Sequence, residues 1–210
     1  MKVLPGYHRR AMQIEYEVKL PGERDALLAA LARIGARPSG PRTLEDDLVL
    51  DTPERRILAQ GGLLRLRRRG DRFLLTLKGA SDRRGEVKAM SEVETEVADG
   101  AAMRDLLARL GFAAASRYQK YRTPYTCPLE GCETLALTLD ETPLGAYLEV
   151  EGEPRQIHRC TAALGFARDD YEVRSYLQIH RDRGGAGEML FDGPEATPWT
   201  ATPAHDAEPA

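Results

Sequence analysis

Residues 14–20 read Ile-Glu-Tyr-Glu-Val-Lys-Leu, so Glu15, Glu17 and Lys19 share one side of a strand and Ile14, Tyr16, Val18 and Leu20 the other. The same split recurs in Leu64-Arg65-Leu66-Arg67, in Thr76-Leu77-Lys78 and in Glu92-Val93-Glu94-Thr95-Glu96-Val97. It returns in Lys120-Tyr121-Arg122 and in Glu149-Val150-Glu151. Each of these strands needs apolar support on one side and a polar space on the other.

The intervening pattern supplies the other elements. The first strand runs from about residue 13 to 20 and stops at Pro21-Gly22; Leu27, Leu28, Leu31 and Ile34 then recur at helical spacing up to Gly35. A strand is expected near 44–50, and a helical turn between Pro53 and Gly61-Gly62. Strands at 63–69 and 72–78 are joined by a Gly70-Asp71 turn. A polar loop over 79–85 leads to an acidic strand over 87–97, and a helix over 101–110 ends at Gly111. Strands near 116–126, 133–141 and 145–153 follow, then helices near 155–164 and 174–181. Residues 1–12 read as a short N-terminal extension and 13–183 as one domain. From Gly184 onward Gly, Pro, Ala, Thr and acids dominate, which predicts a disordered acidic tail with Trp199 exposed.

About eight strands of this kind can close into a barrel with charge within and helices outside. The expected fold is therefore α+β, an antiparallel eight-stranded β-barrel. Its inward set is Glu15, Glu17, Lys19, Arg65, Arg67, Lys78, Glu92, Glu94, Glu96, Lys120, Arg122, Asp140, Glu149 and Glu151, eight acids and six bases. One solvated sheet face is the simpler explanation for a single strand. It weakens here because the positions are nearly all ionised rather than mixed with Ser, Thr, Asn and Gln.

Composition narrows the class. Of 210 residues, 42% are hydrophobic and 30% charged, as in an ordinary globular chain, and no apolar run approaches the roughly 20 residues of a spanning helix. The first ten residues lack the apolar stretch of a signal peptide, so a cytoplasmic location is expected and no membrane partner. Three cysteines argue against a disulfide framework, and the spacing of Cys127, Cys132, His158 and Cys160 fits no common zinc pattern. The net charge of -3 hides a tail with five acids and no Lys or Arg, which leaves the rest near +2. That excess is too small for binding long nucleic acid. Lysine occurs only at positions 2, 19, 78, 88 and 120, and three of these lie on the charged faces.

Acids and bases mixed in one chamber suit a polyphosphate held with a divalent metal. Arginine and lysine bind anionic oxygens, and carboxylates at alternate strand positions offer hard oxygen ligands to Mg2+ or Mn2+.

The motif Glu15-x-Glu17-x-Lys19 resembles the signature of the CYTH superfamily, the triphosphate tunnel metalloenzymes. The ordered series that follows strengthens the likeness: Asp47 leading to Asp51-Thr52-Pro53, Arg65-x-Arg67, Thr76-Leu77-Lys78-Gly79, Glu92-x-Glu94-x-Glu96, Lys120-x-Arg122, Asp140 with Leu144-Gly145, Glu149-x-Glu151, and Arg174-Ser175-Tyr176-Leu177. The resemblance implies a metal-dependent enzyme acting on a triphosphate inside an antiparallel tunnel. It implies Glu15, Glu17, Glu149 and Glu151, with Asp140, as metal ligands, and Lys19, Arg65, Arg67, Lys78, Lys120 and Arg122 as a triphosphate cradle. Glu92, Glu94 and Glu96 would serve a second metal or orient the nucleophile, and Lys19, Lys78, Glu92 and Glu94 would be the catalytic set. Two positions depart from the family pattern: Met90 stands where an Arg is frequent and Val49 where an aromatic is common.

Within that family the second half looks closer to the class IV adenylyl cyclase-like branch, which converts ATP to cyclic AMP and pyrophosphate. Hydrolysis of inorganic triphosphate or thiamine triphosphate is the competing reading, and a non-catalytic polyphosphate- or nucleotide-binding module a third. A homodimer is compatible with the sequence.

Overall fold

Alternation of apolar and charged residues resolves into a closed wall. The computed structural model describes residues 13–84 and 87–193; the expected N-terminal extension and the tail from residue 194, with Trp199, lie outside the described residues. In chain order the elements are β1 (Gln13–Gly22), α1 (Arg24–Arg33), β2 (Thr43–Asp51), α2 (Arg56–Ala59), β3 (Leu63–Arg69), β4 (Arg72–Lys78) and β5 (Asp82–Arg84). They continue with β6 (Val87–Val97), α3 (Gly100–Arg109), β7 (Ala113–Tyr125), β8 (Ala136–Thr142), β9 (Gly145–Glu151), α4 (Pro154–Ala163) and α5 (Tyr176–Asp182). The strands pair antiparallel in the order β1-β9-β8-β7-β2-β3-β4-β6, and β1 also pairs with β6, closing an eight-stranded barrel.

The short strand β5 departs from the sequence expectation of a loop over 79–85. β6 runs past the end of β4, and β5 pairs with the edge thus left open, Asp82 opposite Ala89 and Arg84 opposite Val87. Unpaired backbone groups beside a packed wall are costly, which favours that extension. The β3–β4 hairpin turns at Gly70 with φ +60, a left-handed backbone that glycine adopts without strain. Gly100 opens α3 against Phe73, whose ring lies 2.2 Å from where a Cβ would be, so α3 can seat closely on β4. The Asp99 carboxylate caps that helix, accepting from the Ala101 and Ala102 amides at 2.8 and 3.0 Å.

The outward residues form two cores. Val18 and Leu20 of β1, Leu137 and Leu139 of β8, and Leu148 and Val150 of β9 pack under Leu27 and Leu31 of α1, Ile157 of α4 and Leu164, which caps α4. Cys127, Cys132 and Cys160 are free, buried thiols in this same core. Leu48, Leu50, Leu64 and Leu66 pack under Leu107 of α3. Each fully buried leucine contributes about 1.5–3 kcal/mol of transfer free energy, so the helices are what make the charged lumen tolerable.

A third cluster lies at one mouth of the barrel. Here α5 crosses the opening, and its Tyr176, Leu177 and Ile179 pack on Val49, Tyr118 and Tyr147, three inward residues of β2, β7 and β9. Packed chain continues beyond Gly184, where the sequence reading starts the tail. Met189 is 2% exposed; its amide donates to the Arg117 carbonyl at 3.0 Å, and its carbonyl accepts from the Gln119 amide at 2.9 Å. Phe191 lies 5.2 Å from Tyr121, ring to ring. Two apolar side chains suffice to dock a stretch whose average composition is polar.

Candidate active site

The strand period of two sends the predicted charged faces inward around a cavity of about 580 Å³. Its walls carry Glu15, Glu17 and Lys19 from β1, Arg65 and Arg67 from β3, Lys78 from β4, Glu92 and Glu94 from β6, Lys120 and Arg122 from β7, and Glu149 and Glu151 from β9. Antiparallel register places Glu17 opposite Glu151, Lys19 opposite Glu149, and Lys78 opposite Glu92.

Two predicted residues stand apart from that wall. Asp140 of β8 is fully buried beneath the cations: Lys120 Nζ lies 2.6 Å from its Oδ2, Arg122 grips both its oxygens at 2.7 and 2.6 Å, and the Tyr176 hydroxyl donates to it at 3.0 Å. Glu96 is exposed at the end of β6, where Arg72 holds it by two hydrogen bonds of 2.9 and 2.7 Å. It does not line the cavity.

Four residues without an assigned role join the site. Glu45 and Asp47 of β2 are fully buried among the cradle cations. Arg67 donates to both Asp47 oxygens at 2.6 and 2.9 Å and approaches Glu45 at 2.9 Å, while Lys120 and Arg122 lie 3.5 and 3.8 Å from Glu45. Lys88 of β6 faces inward opposite Glu17 and donates to its Oε1 at 2.8 Å. The Tyr176 ring sits under two ammonium groups, Lys19 and Lys120, each 5.3 Å from its centroid. Period-two spacing puts Glu45, Asp47 and Val49 on one face of β2, but only its pairing with β3 and β7 turns that face inward. Consecutive acids at 45, 46 and 47 hid the alternation, because Asp46 faces out to Arg117. Of the two departures, Met90 is buried and lines the cavity, and Val49 belongs to the apolar cluster beneath α5.

Electrostatics divide the carboxylates into two kinds. Burial would raise the Glu17 carboxyl, but Lys19 and Lys88 outweigh it and hold the group well below its ordinary range. Glu149 is lowered in the same way by Arg122, Lys120 and Lys19 against its burial, and Glu45 by Arg67, Arg122 and Lys120. Glu15 and Glu151 behave oppositely. Burial and a hydrogen bond shared with Glu92 push Glu15 up to about 7 despite Lys78; burial and the adjacent Glu149 raise Glu151. Burial thus makes Glu15 and Glu151 the carboxyls of β1 and β9 that favour the protonated form.

That raised pair is the fit test for a divalent metal. Glu15, Glu17, Glu149 and Glu151 are hard oxygen donors on two paired strands, and the raised Glu15 and Glu151 are the groups a cation would return to their ionised form. Among the described residues no three of Asp, Glu, His and Cys already stand in a metal-holding geometry. Ammonium groups hold Glu17, with Lys19 at 2.9 Å and Lys88 at 2.8 Å, and Glu149, with Lys19 at 3.4 Å. The donor set fits the metal, with Glu17 and Glu149 paired to ammonium groups.

A closed antiparallel tunnel lined with alternating acids and bases defines the class, and the chain belongs to the CYTH domain family, whose model matches residues 13–176. Among solved structures it is similar to a Vibrio parahaemolyticus protein described as a putative adenylate cyclase, at 22% identity and a TM-score of 0.66, covering 80% of this chain and 98% of that one. It is similar to a conserved hypothetical protein from Pyrococcus furiosus, at 22% identity and a TM-score of 0.64, covering 79% and 99%. A Hippeastrum protein described as a putative adenylyl cyclase with a dominant triphosphatase activity aligns at 21% identity and a TM-score of 0.61, over 83% and 97%. No curated protein matches the chain. Among the described residues no helix is long and apolar enough to cross a membrane.

Proposed function

We propose that the protein is a metal-dependent enzyme of triphosphate chemistry, of the class IV adenylyl cyclase-like branch, converting ATP to cyclic AMP and pyrophosphate. The observation that carries the reading is one chamber in which six cations, Lys19, Arg65, Arg67, Lys78, Lys120 and Arg122, surround a cavity bordered by the β1 and β9 carboxylates. A triphosphate is the common ligand that requires both.

In this reading the six cations bind and align the phosphate chain. Before the ligand arrives Asp47, Glu45 and Asp140 position Arg65, Arg67, Lys120 and Arg122, while Glu17 and Glu149 hold Lys19, and Glu15 and Glu92 hold Lys78. Glu15, Glu17, Glu149 and Glu151 would hold Mg2+ or Mn2+, which would supply stabilisation of the charge on the phosphate chain. Asp140, saturated by Lys120, Arg122 and Tyr176, acts as the counter-ion that aims those cations. Glu92 and Glu94, beside Lys78 and Arg65, orient the attacking hydroxyl. The ribose 3′ oxygen forms a bond to the α phosphorus as its proton passes to the carboxylates of the Glu92 and Glu94 pair, the bond from that phosphorus to the bridging oxygen breaks, and pyrophosphate leaves with the electron pair. A cavity of about 580 Å³ lies within the range of roughly 300–1,000 Å³ for small-molecule sites, which supports a substrate with an organic group.

Hydrolysis at the terminal phosphorus is the second reading, favoured by the likeness to the Hippeastrum protein with its triphosphatase description. The test incubates the purified protein and its Glu15→Gln, Glu17→Gln variant with Mg2+ or Mn2+ and, separately, ATP, thiamine triphosphate and inorganic triphosphate. Cyclic AMP with pyrophosphate establishes the cyclase. Orthophosphate release overturns it in favour of a hydrolase, and no product from any substrate moves the protein to a polyphosphate-binding module.

A further inference from the structure

We propose that Lys88 is a further cation of the triphosphate site, held on Glu17 while the chamber is empty and transferred to the phosphate chain when Glu17 ligates a divalent cation. The inference rests on the reading of the chamber as a metal-dependent triphosphate site, and it adds a residue that neither the family pattern nor the sequence reading assigns.

Glu17 Oε1 accepts from two ammonium groups at once, Lys19 at 2.9 Å and Lys88 at 2.8 Å. Those two contacts take both lone pairs of Oε1, so a metal held through both Glu17 oxygens must displace one ammonium, and a metal on Oε2 alone still weakens both by repulsion. The two lysines are not equivalent. Lys19 has a second carboxylate within 3.4 Å, Glu149, and its backbone is tied on the other side to Glu172 by hydrogen bonds of 2.9 and 2.8 Å. Lys88 sits at the position of β6 directly opposite Glu17, with Met90, uncharged, next along the same inward face. Its side chain is 13% exposed and borders the cavity. Lys19 and Lys78 face it from β1 and β4, so a displaced Lys88 meets like charge on both neighbouring strands. A buried ammonium without a counter-ion is unfavourable, and the nearest place to regain one is the anion in the cavity. A lysine suits that movement: its compact charge turns on a flexible four-carbon stem, where an arginine fork would stay locked to one carboxylate.

This mechanism predicts coupling rather than simple charge attraction. Any chamber cation strengthens anion binding; a cation released by the metal strengthens it only when metal is present, and by linkage the anion then strengthens metal binding by the same factor. The experiment is calorimetric titration of wild type and Lys88→Met with a methylene-bridged triphosphate, which cannot be turned over, with saturating Mn2+ and with chelator. The expected loss for Lys88→Met is about tenfold with Mn2+ and less than twofold without. In the absence of the anion, Lys88→Met is expected to bind Mn2+ severalfold more tightly, since a competitor for Glu17 is gone. An equal loss in both conditions, or no loss in either, overturns the proposal and leaves Lys88 as a fixed ion pair. If Lys88→Met melts well below wild type, Lys88→Gln, which keeps a hydrogen-bond donor to Glu17, carries the same comparison with the same two outcomes. Failure of the parent reading is distinguishable, because wild type itself would then bind no triphosphate analogue with Mn2+.

Discussion

Replacing Asp47 by Asn removes one buried charge from the floor of the cradle while keeping shape and volume. Asp47 is fully buried, accepts both forks of Arg67 at 2.6 and 2.9 Å, and lies 3.8 Å from Arg65. Removing one partner of a buried ion pair costs about 3–5 kcal/mol, because the other charge is left without compensation. Arg67 retains Glu45 at 2.9 Å, so the lower end applies, about 3 kcal/mol. For a chain of this size about 2–4 °C of melting temperature corresponds to each kcal/mol, which gives a fall of about 6–12 °C. The freed guanidinium faces the cavity, so an anion should compensate for what Asp47 no longer does. Binding of inorganic triphosphate about tenfold tighter adds about 1.4 kcal/mol of ligand stabilisation, or a further 3–6 °C of upward shift relative to wild type. The assay is thermal melting of both proteins in chelator, with and without triphosphate at fixed concentration. A fall smaller than about 2 °C, or an anion shift in Asp47→Asn no larger than in wild type, would refute the idea that β2 acids act as counter-ions to the cradle.

Three further outcomes are expected. The Glu15 carboxyl is raised by burial and Glu92 from about 4.5 to about 7, so the proton it holds favours the metal-free fold below its unfolded value, and that contribution is lost as pH rises through about 7. Mn2+ affinity should therefore fall by up to about tenfold per pH unit below 7 and level off above it, with Glu15→Gln making the slope shallower in a calorimetric series and leaving only the part that Glu151 supplies. Tyr176→Phe deletes the donor to Asp140 at 3.0 Å and should cost about 1.5–3 kcal/mol in denaturant unfolding, the range for hydrogen bonds to charged groups; an unchanged midpoint would show that Lys120 and Arg122 alone satisfy Asp140. Glu96→Gln should leave metal affinity and turnover within about twofold, because Glu96 is exposed and paired with Arg72 outside the cavity; a tenfold loss in either would return it to the metal site.

Period-two alternation was enough to determine the barrel and most of its lining. A strand such as Ile14–Leu20 offers two faces of opposite polarity, and a set of such strands has few ways to hide one face and satisfy the other. Helix positions followed from 3.6-residue spacing and from the glycines that end them. Twelve of the fourteen predicted inward residues line the cavity.

What the sequence left undecided depended on contacts between distant strands. Glu45-Asp46-Asp47 reads as an undivided acidic run, and only the pairing of β2 with β3 and β7 sends Glu45 and Asp47 to the cations inside and Asp46 to Arg117 outside. Glu96 continues a perfect alternation yet faces Arg72, because β6 outlasts the cavity and a local pattern carries no information about where a tunnel ends. Lys88 shares the inward face of that same strand, but its pairing with Glu17 is fixed by the closing β1–β6 register, which brings together residues 71 positions apart. Met189 and Phe191 dock because β7 presents backbone groups and Tyr121 to them, which the composition of the tail does not reveal. Side-chain periodicity is a property of neighbours along the chain and is legible there. The choice of partner for each buried charge is set by register and barrel closure, which exist only once the strands have met.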